Sequence, residues 1–390
     1  MSRLALVFHL CFLHAYTFGQ QTEELIVGTE QTTIYLPLLK GKSVAVLTNQ
    51  TGRIGNESIV DFLKTKNINI VTILSPEHGF RGTADAGEKV SNSIDEKTGI
   101  QIHSLYGKNT KKTLDSIVQK IDVLIFDLQD VGLRYYTYLS TMIQAMNACS
   151  VHGVKLIVLD RPNPNGFYVD GPILDMKYKS DVGIIPVPVV HGMTLGELAQ
   201  MANGEKWLDN EKQCDITIIP CKNYTHTTLY KLPVPPSPNL PNMRSVYLYP
   251  SLCYFEATPI SVGRGTTAPF QQFGNPQLKG YSYTFTPQSI TGAKNPPLLG
   301  KLCYGVDLQR NPTNSVIFEK GLDLTYVIET YRNLNIGNAF FTPFFEKLIG
   351  VDYVRKMIVD GKNADEIKMY WKKDIETFKE KRKKYLLYSE

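Results

Sequence analysis

The sequence predicts an α/β protein, a Rossmann-like parallel sheet domain followed by a smaller α+β carboxyl-terminal domain. Three observations predict it. Short apolar runs rich in β-branched residues recur through the first half, stretches with apolar positions three and four apart separate them, and the composition changes after Gly204. Strands alternating with helices in this way build a parallel sheet covered on both faces. At 390 residues and 43% hydrophobic composition the chain can bury one large core or two moderate ones.

Taken in order, residues 1–20 read as a secretory signal: Arg3, the mostly apolar stretch Leu4 to Leu13, then Thr17-Phe18-Gly19-Gln20. That apolar core is too short to anchor a chain in a bilayer. The expectation is an exported protein, periplasmic or secreted, with no stable membrane anchor. A first domain over residues 21–204 then carries the runs Ser43 to Leu47, Ile68 to Leu74, Ile121 to Phe126 and Lys155 to Leu159 as strands. Ser58 to Lys64, Lys112 to Lys120 and Tyr138 to His152 show helical periodicity between them. Thr194 and Glu197 make a capping box for a helix reaching about Asn203.

The second domain is expected over residues 205–390. A strand at Asp215 to Ile219 precedes the proline-rich Leu232 to Pro241, a stiff connector long enough to suggest a functional loop. Asp365 to Tyr388 reads as an amphipathic helix whose basic run, Lys381 to Lys384, forms a solvated face. Six cysteines lack any paired metal spacing, and the first belongs to the signal. The remaining five are expected as buried small hydrophobes, with a Cys214 to Cys221 bridge open only if the chain turns between them.

Composition and motifs exclude several functions. The net charge of +5 is mild and spread over 42 basic and 37 acidic residues, so no nucleic-acid partner is implied. Neither a G-x-G-x-x-G turn nor a phosphate-binding loop is present, which argues against nucleotides. No His-Glu-x-x-His, Cys-x-x-Cys or nucleophile elbow occurs either, so neither a metal, a cofactor nor serine-hydrolase chemistry is expected.

Carboxylate chemistry remains. In open parallel sheets the ligand crevice lies beyond the carboxyl ends of the strands. There the sequence places Asn49, Glu77 with His78, Asp127 with Asp130, and Asp160 with Arg161. Glycoside hydrolysis needs a protonated carboxyl to donate to the leaving oxygen. Glu77, between Pro76 and Gly79, is the candidate, and nearby Asp127, Asp130 or Asp160 could raise its pKa by like-charge repulsion. The competing reading has Glu77 capping a turn or pairing with Arg81.

The landmarks extend beyond these. Leu47-Thr48-Asn49-Gln50-Thr51-Gly52, Ser75-Pro76-Glu77-His78-Gly79-Phe80-Arg81-Gly82, Phe126-Asp127-Leu128-Gln129-Asp130-Val131-Gly132 and Leu159-Asp160-Arg161-Pro162-Asn163-Pro164 are followed by His191-Gly192-Met193-Thr194, Pro236-Ser237-Pro238-Asn239 and Ser261-Val262-Gly263-Arg264-Gly265-Thr266. In these motifs, in this order, the chain resembles the YbbC family from about Glu24 to Tyr388. The family was long a domain of unknown function, and its characterised members are the NamZ exo-β-N-acetylmuramidases. The resemblance implies an active cleft between the two domains and makes Glu77 the catalytic acid. Val190, Asp170 and Ala257 depart from the commoner pattern, at positions that bear on substrate preference.

The implied activity is removal of terminal N-acetylmuramic acid (MurNAc) from peptidoglycan fragments. MurNAc carries a lactyl carboxylate, which a guanidinium reads best. Arg134 and Arg161 are the first candidates, with Arg81 and Arg264 behind them. His78 and His191 are candidates to orient the acid or bind hydroxyls, and Tyr135, Tyr136 and Tyr138 to stack on a sugar or pack the core. Glu256 stands as a reserve carboxylate, and Asp130 could hold the substrate's acetamido group in a substrate-assisted reaction. The rival expectation is an exported muropeptide binder without catalysis.

Overall fold

The computed structural model describes residues 24–76, 79–80, 92–105, 107, 110–310 and 321–390. Residues 1–20, read as a signal, and the candidates Glu77, His78 and Arg81 lie outside the described residues.

The apolar runs pair into one large sheet of seven strands: β1 (Ser43–Thr48), β2 (Asn69–Ser75), β3 (Ser93–Ile94), β4 (Gln101–Ser104), β5 (Val123–Asp127), β6 (Lys155–Leu159) and β7 (Ile216–Ile219). Their order is β3-β4-β2-β1-β5-β6-β7, parallel throughout except where the edge strand β3 meets β4. Side chains alternate between faces along each strand. Val44 and Val46 of β1 pack with Tyr35, Leu39, Ile59 and Leu63, which lie on α1 (Thr32–Leu39) and α2 (Ile59–Thr65). Ala45 and Leu47 face the other way, toward Leu114, Leu139 and Leu198. Those residues belong to α3 (Thr110–Val118), α4 (Thr137–His152) and α5 (Leu195–Gly204). Burial on both faces explains why the strands read as unbroken apolar runs.

Helix ends follow local chemistry. α4 stops where Gly153 takes a left-handed conformation at φ 67°. The expected capping box is present on α5: Thr194 Oγ1 accepts from the Glu197 N–H at 3.2 Å, and Glu197 accepts from the Thr194 N–H at 2.9 Å.

The sheet runs past Gly204, because β7 pairs in parallel with β6. The expected division at 204/205 therefore falls inside the sheet-bearing part. The change in composition there marks where the chain leaves α5 for the surface, whereas strand pairing, a long-range property, carries it back to the sheet edge.

Beyond the proline-rich segment come α6 (Met243–Leu252) and a three-stranded antiparallel sheet of β8 (Gln272–Asn275), β9 (Tyr283–Phe285) and β10 (Cys303–Asp307). Among the described residues four α-helices follow: α7 (Thr325–Leu334), α8 (Phe344–Ile349), α9 (Tyr353–Val359) and α10 (Ala364–Arg382). Tyr249, Phe270, Ile349 and Trp371 from this part join the same apolar cluster as Leu47 and Phe126, so the two halves share one core. Of the basic run at the end of α10, the three lysines stay exposed as expected and only Arg382 turns inward. Arg382 is buried, donating to the carbonyls of His191 and Gly192, while Lys381 and Lys384 pair with Glu205 and Lys383 with Glu380. The five described cysteines are buried free thiols, Cys214 and Cys221 included. Among the described residues no helix is long and apolar enough to cross a membrane.

Candidate active site

The order in which strands are added to the large sheet reverses at β1: β2 and β4 lie on one side of it, β5 to β7 on the other. Beyond the strand ends at such a switch point a crevice is left open. A cavity of about 540 Å³ is found on this side, lined by Leu105 just after β4, by Tyr135, Tyr136 and Tyr138 at the start of α4, and by Ser237 and Asn239 of the proline-rich segment. The second half closes it with Tyr249, Glu256, Arg264 and Phe270. Its size suits a small ligand of one or a few rings.

The aromatic wall is rigid. Tyr136 and Tyr138 meet edge-to-face at 4.7 Å, Tyr135 meets Tyr249 at 5.4 Å, and Tyr249 meets Phe270 at 4.8 Å. The proline-rich segment is tied to this wall through the Pro236 carbonyl, which accepts from the Tyr136 hydroxyl at 3.0 Å and from Gln50 Nε2 at 3.3 Å. All three tyrosines named from the sequence are therefore both cavity wall and packed interior.

The polar candidates divide into groups. Glu256 and Arg264 line the cavity directly, with Glu256 Oε1 2.8 Å from Arg264 Nε and 2.7 Å from Nη2. Asn49 reaches it through Tyr138: its Nδ2 donates to that hydroxyl at 2.6 Å, while its Oδ1 accepts from the N–H and hydroxyl of Thr51. Asp130 is buried off the wall. Its Oδ2 accepts from the Gly132 N–H at 2.7 Å, and Oδ1 has no partner among the described residues. Burial pushes its carboxyl up to about 7. The Tyr136 phenol is also held well above its ordinary value, by burial first, then by Tyr138 and Asp130.

Five candidates sit within the scaffold instead. Arg161 grips Asp127 through Nε at 2.6 Å and Nη2 at 3.1 Å, and both side chains are buried. This neutralised pair closes the ends of β5 and β6. Asp160 accepts from the Thr194 hydroxyl, the Gly196 N–H and the Tyr388 hydroxyl, which tie α5 and the carboxyl-terminal tail to β6. Burial raises it to about 6. Arg134 is fully buried and donates to four main-chain carbonyls, those of Pro172, Val187, Leu348 and Ile349. His191 is buried with Nδ1 accepting from the Met193 N–H, and burial followed by the charge of Arg382 lowers it to about 3, so it is neutral. None of these five residues lines the cavity.

Residues of the second half were harder to foresee. Tyr249 and Phe270 carry no motif, and only the tertiary packing brings them to the wall. Ser237 and Asn239 had a legible signal in the length and proline content of their segment. Among the described residues no cluster of three His, Cys, Asp or Glu could hold a metal ion.

A two-part α/β protein with a partly open aromatic cavity on its switch-point side, fitted with an acid and a guanidinium, is the form of a small-ligand enzyme or binder of polar rings. The sequence profile described as exo-beta-N-acetylmuramidase NamZ, N-terminal, matches residues 44–244, and the corresponding C-terminal profile matches residues 247–388. The chain belongs to the NamZ exo-β-N-acetylmuramidase family, also known as DUF1343. A Bacillus subtilis (strain 168) protein described as peptidoglycan beta-N-acetylmuramidase NamZ is 39% identical over 374 residues, covering 91% of this chain and 89% of that one. Crystal structures of two DUF1343 family proteins from Bacteroides fragilis NCTC 9343 are similar. One has a TM-score of 0.87 at 57% identity and the other 0.79 at 28%, each covering 94% of this chain and 99% of the other.

Proposed function

We propose that the protein removes terminal MurNAc from peptidoglycan-derived glycans, with the reaction in the cavity at the switch point and Glu77 as the proton donor. As a member of its family the protein is an exo-β-N-acetylmuramidase, a glycoside hydrolase. The observation that carries the siting is the seam between β2 and the cavity: Leu105, on the wall, donates its N–H to the carbonyl of Ser75 at 2.8 Å. Ser75 precedes Glu77 by two residues, a span of at most roughly 7 Å of extended chain.

In this reading Glu77 protonates the glycosidic oxygen as the bond to the departing sugar breaks, and water completes the reaction at the anomeric carbon. Glu256 and Arg264 act on the substrate directly. Asn49 and Asp130 act through Tyr138 and Tyr136, and Asp130 is the group assigned to the acetamido side. His78 and Arg81 follow Glu77 closely in the sequence and are assigned to its orientation. We assign Asp127, Asp160, Arg134, Arg161 and His191 to holding the rim in shape. Residues 1–20 are read as an export signal, which sends the enzyme to the compartment that holds its polymer.

The test is hydrolysis of a MurNAc-terminated disaccharide and of a chromogenic β-muramide by the chain and by Glu77→Gln. Loss of a general acid lowers turnover by roughly 10²- to 10⁴-fold. A Glu77→Gln protein working at the parent rate removes Glu77 from the mechanism. No sugar release by the folded parent would leave a binder.

A further inference from the structure

Arg264 occupies an unusual backbone. It lies between Gly263 at φ 78° and Gly265 at φ 79°, both left-handed. A Cβ on Gly263 would stand 2.7 Å from the Gln272 side chain, and one on Gly265 would stand 2.4 Å from the Gln288 carbonyl oxygen. Glycine is thus required on each side, and the turn fixes the direction in which Arg264 leaves the main chain.

The side chain is fixed again at its far end. Glu256 takes the Nε side of the guanidinium, at 2.8 Å from Nε and 2.7 Å from Nη2. The Phe270 ring lies beneath, 5.1 Å from Cζ. Burial works against the charge of Arg264, but Glu256 outweighs it and holds the group above its ordinary pKa. A guanidinium has five N–H donors in a planar fork. With the Nε side used, the Nη1 end has no partner among the described residues, in a side chain 15% exposed on the cavity wall.

Other guanidiniums near the rim are already engaged. Arg134 is spent on four carbonyls, and Arg161 is locked to Asp127 and to the Arg53 carbonyl. Arg264 is the described arginine that is charged, held rigid and still has donors facing the cavity.

We propose that Arg264 is the specificity-determining residue for the acidic side chain of the substrate, receiving the lactyl carboxylate of MurNAc on the Nη end of a guanidinium that Glu256 and Phe270 hold in place. The proposal rests on the reading of the cavity as the muramidase site. Preorganisation matters here: the entropy of ordering a long arginine has been spent in folding, so the carboxylate gains the charge-assisted bonds without that cost. The same arrangement favours MurNAc over N-acetylglucosamine, which has no carboxylate to offer.

The experiment compares two chromogenic β-muramides, one with the free lactyl carboxylate and one with its primary amide, on the parent chain, Arg264→Met and Arg264→Lys. The parent should prefer the acid by about 30-fold in kcat/KM, the scale of a hydrogen bond to a charged group. In Arg264→Met that ratio should fall to near one, mainly through KM for the acid, and Arg264→Lys should retain part of it. An Arg264→Met protein that keeps the parent's ratio overturns the proposal. If Arg264→Met does not fold, Arg264→Lys reads the same ratio, and an unchanged preference there overturns it as well. Should the parent hydrolyse neither substrate, the muramidase reading of the cavity fails by itself. Calorimetric titration with free MurNAc and its lactyl amide then decides the role of Arg264, and equal affinities for the two in the parent overturn it.

Discussion

Replacing Arg134 with methionine should destabilise the protein without changing its substrate preference. The guanidinium donates to the carbonyls of Pro172 at 2.8 Å and Val187 at 3.0 Å through Nη1, and to those of Leu348 at 3.0 Å and Ile349 at 2.8 Å through Nη2. The last two belong to the carboxyl end of α8, where a cation also meets the negative end of the helix dipole. Burial lowers its pKa to about 10, so it is charged at neutral pH. Methionine fills much of the volume but orphans four buried carbonyls. At about 1 kcal/mol or more for each, and with water recovering part of the loss, the expected cost is about 4 kcal/mol. That corresponds to roughly a thousandfold change in the folding constant. Urea unfolding followed by both tryptophan fluorescence and circular dichroism measures it, and coincident curves license the free energy. Arg134→Lys should fall between, keeping the charge but not the four-way geometry. An Arg134→Met protein with the parent's midpoint and a raised KM for muramides would refute the scaffold role and return Arg134 to the substrate.

Three further outcomes follow from the same geometry. Asp130 is raised from 3.8 to about 7, so the folded state keeps a proton that the unfolded chain releases. Stability from this group is complete below pH 3.8 and is lost as pH rises toward 7; Asp130→Asn should flatten that part of a stability profile, and an unchanged slope counts against the buried carboxyl. Tyr388→Phe removes a hydroxyl that donates to Asp160 at 2.6 Å and accepts from the Cys221 N–H at 2.9 Å. It should cost about 2 kcal/mol and speed hydrogen exchange at the Cys221 amide; unaltered protection would dismiss the tail as a latch. Gly132 has φ 80°, and a Cβ there would lie 1.9 Å from Asn163 Oδ1. Gly132→Ala should lower the melting temperature by several degrees, roughly the effect of 2 kcal/mol or more, and a calorimetric scan matching the parent would show that the turn relaxes freely.

Much of this protein was legible before folding. The runs at Ser43, Ile68, Ile121 and Lys155 became β1, β2, β5 and β6, and the Thr194–Glu197 capping box stands where the sequence put it. Their signals are local: strand periodicity, helix periodicity and caps depend on residues a few positions apart. The rule that ligands gather beyond the carboxyl ends of parallel strands then pointed to the rim where the cavity is found. It could not say which polar residues on that rim face the cavity. Asp127 and Arg161 carry the same chemistry in the sequence as Glu256 and Arg264. Yet the first pair is sealed inside the scaffold and the second lines the cavity. That distinction belongs to tertiary structure, because whether a charge is spent on a neighbour depends on contacts between residues far apart in the chain. Four carbonyls from distant segments met Arg134, and two glycines with a carboxylate and a phenyl ring held Arg264. Periodicity determined the elements; packing decided which guanidinium was left with donors to offer.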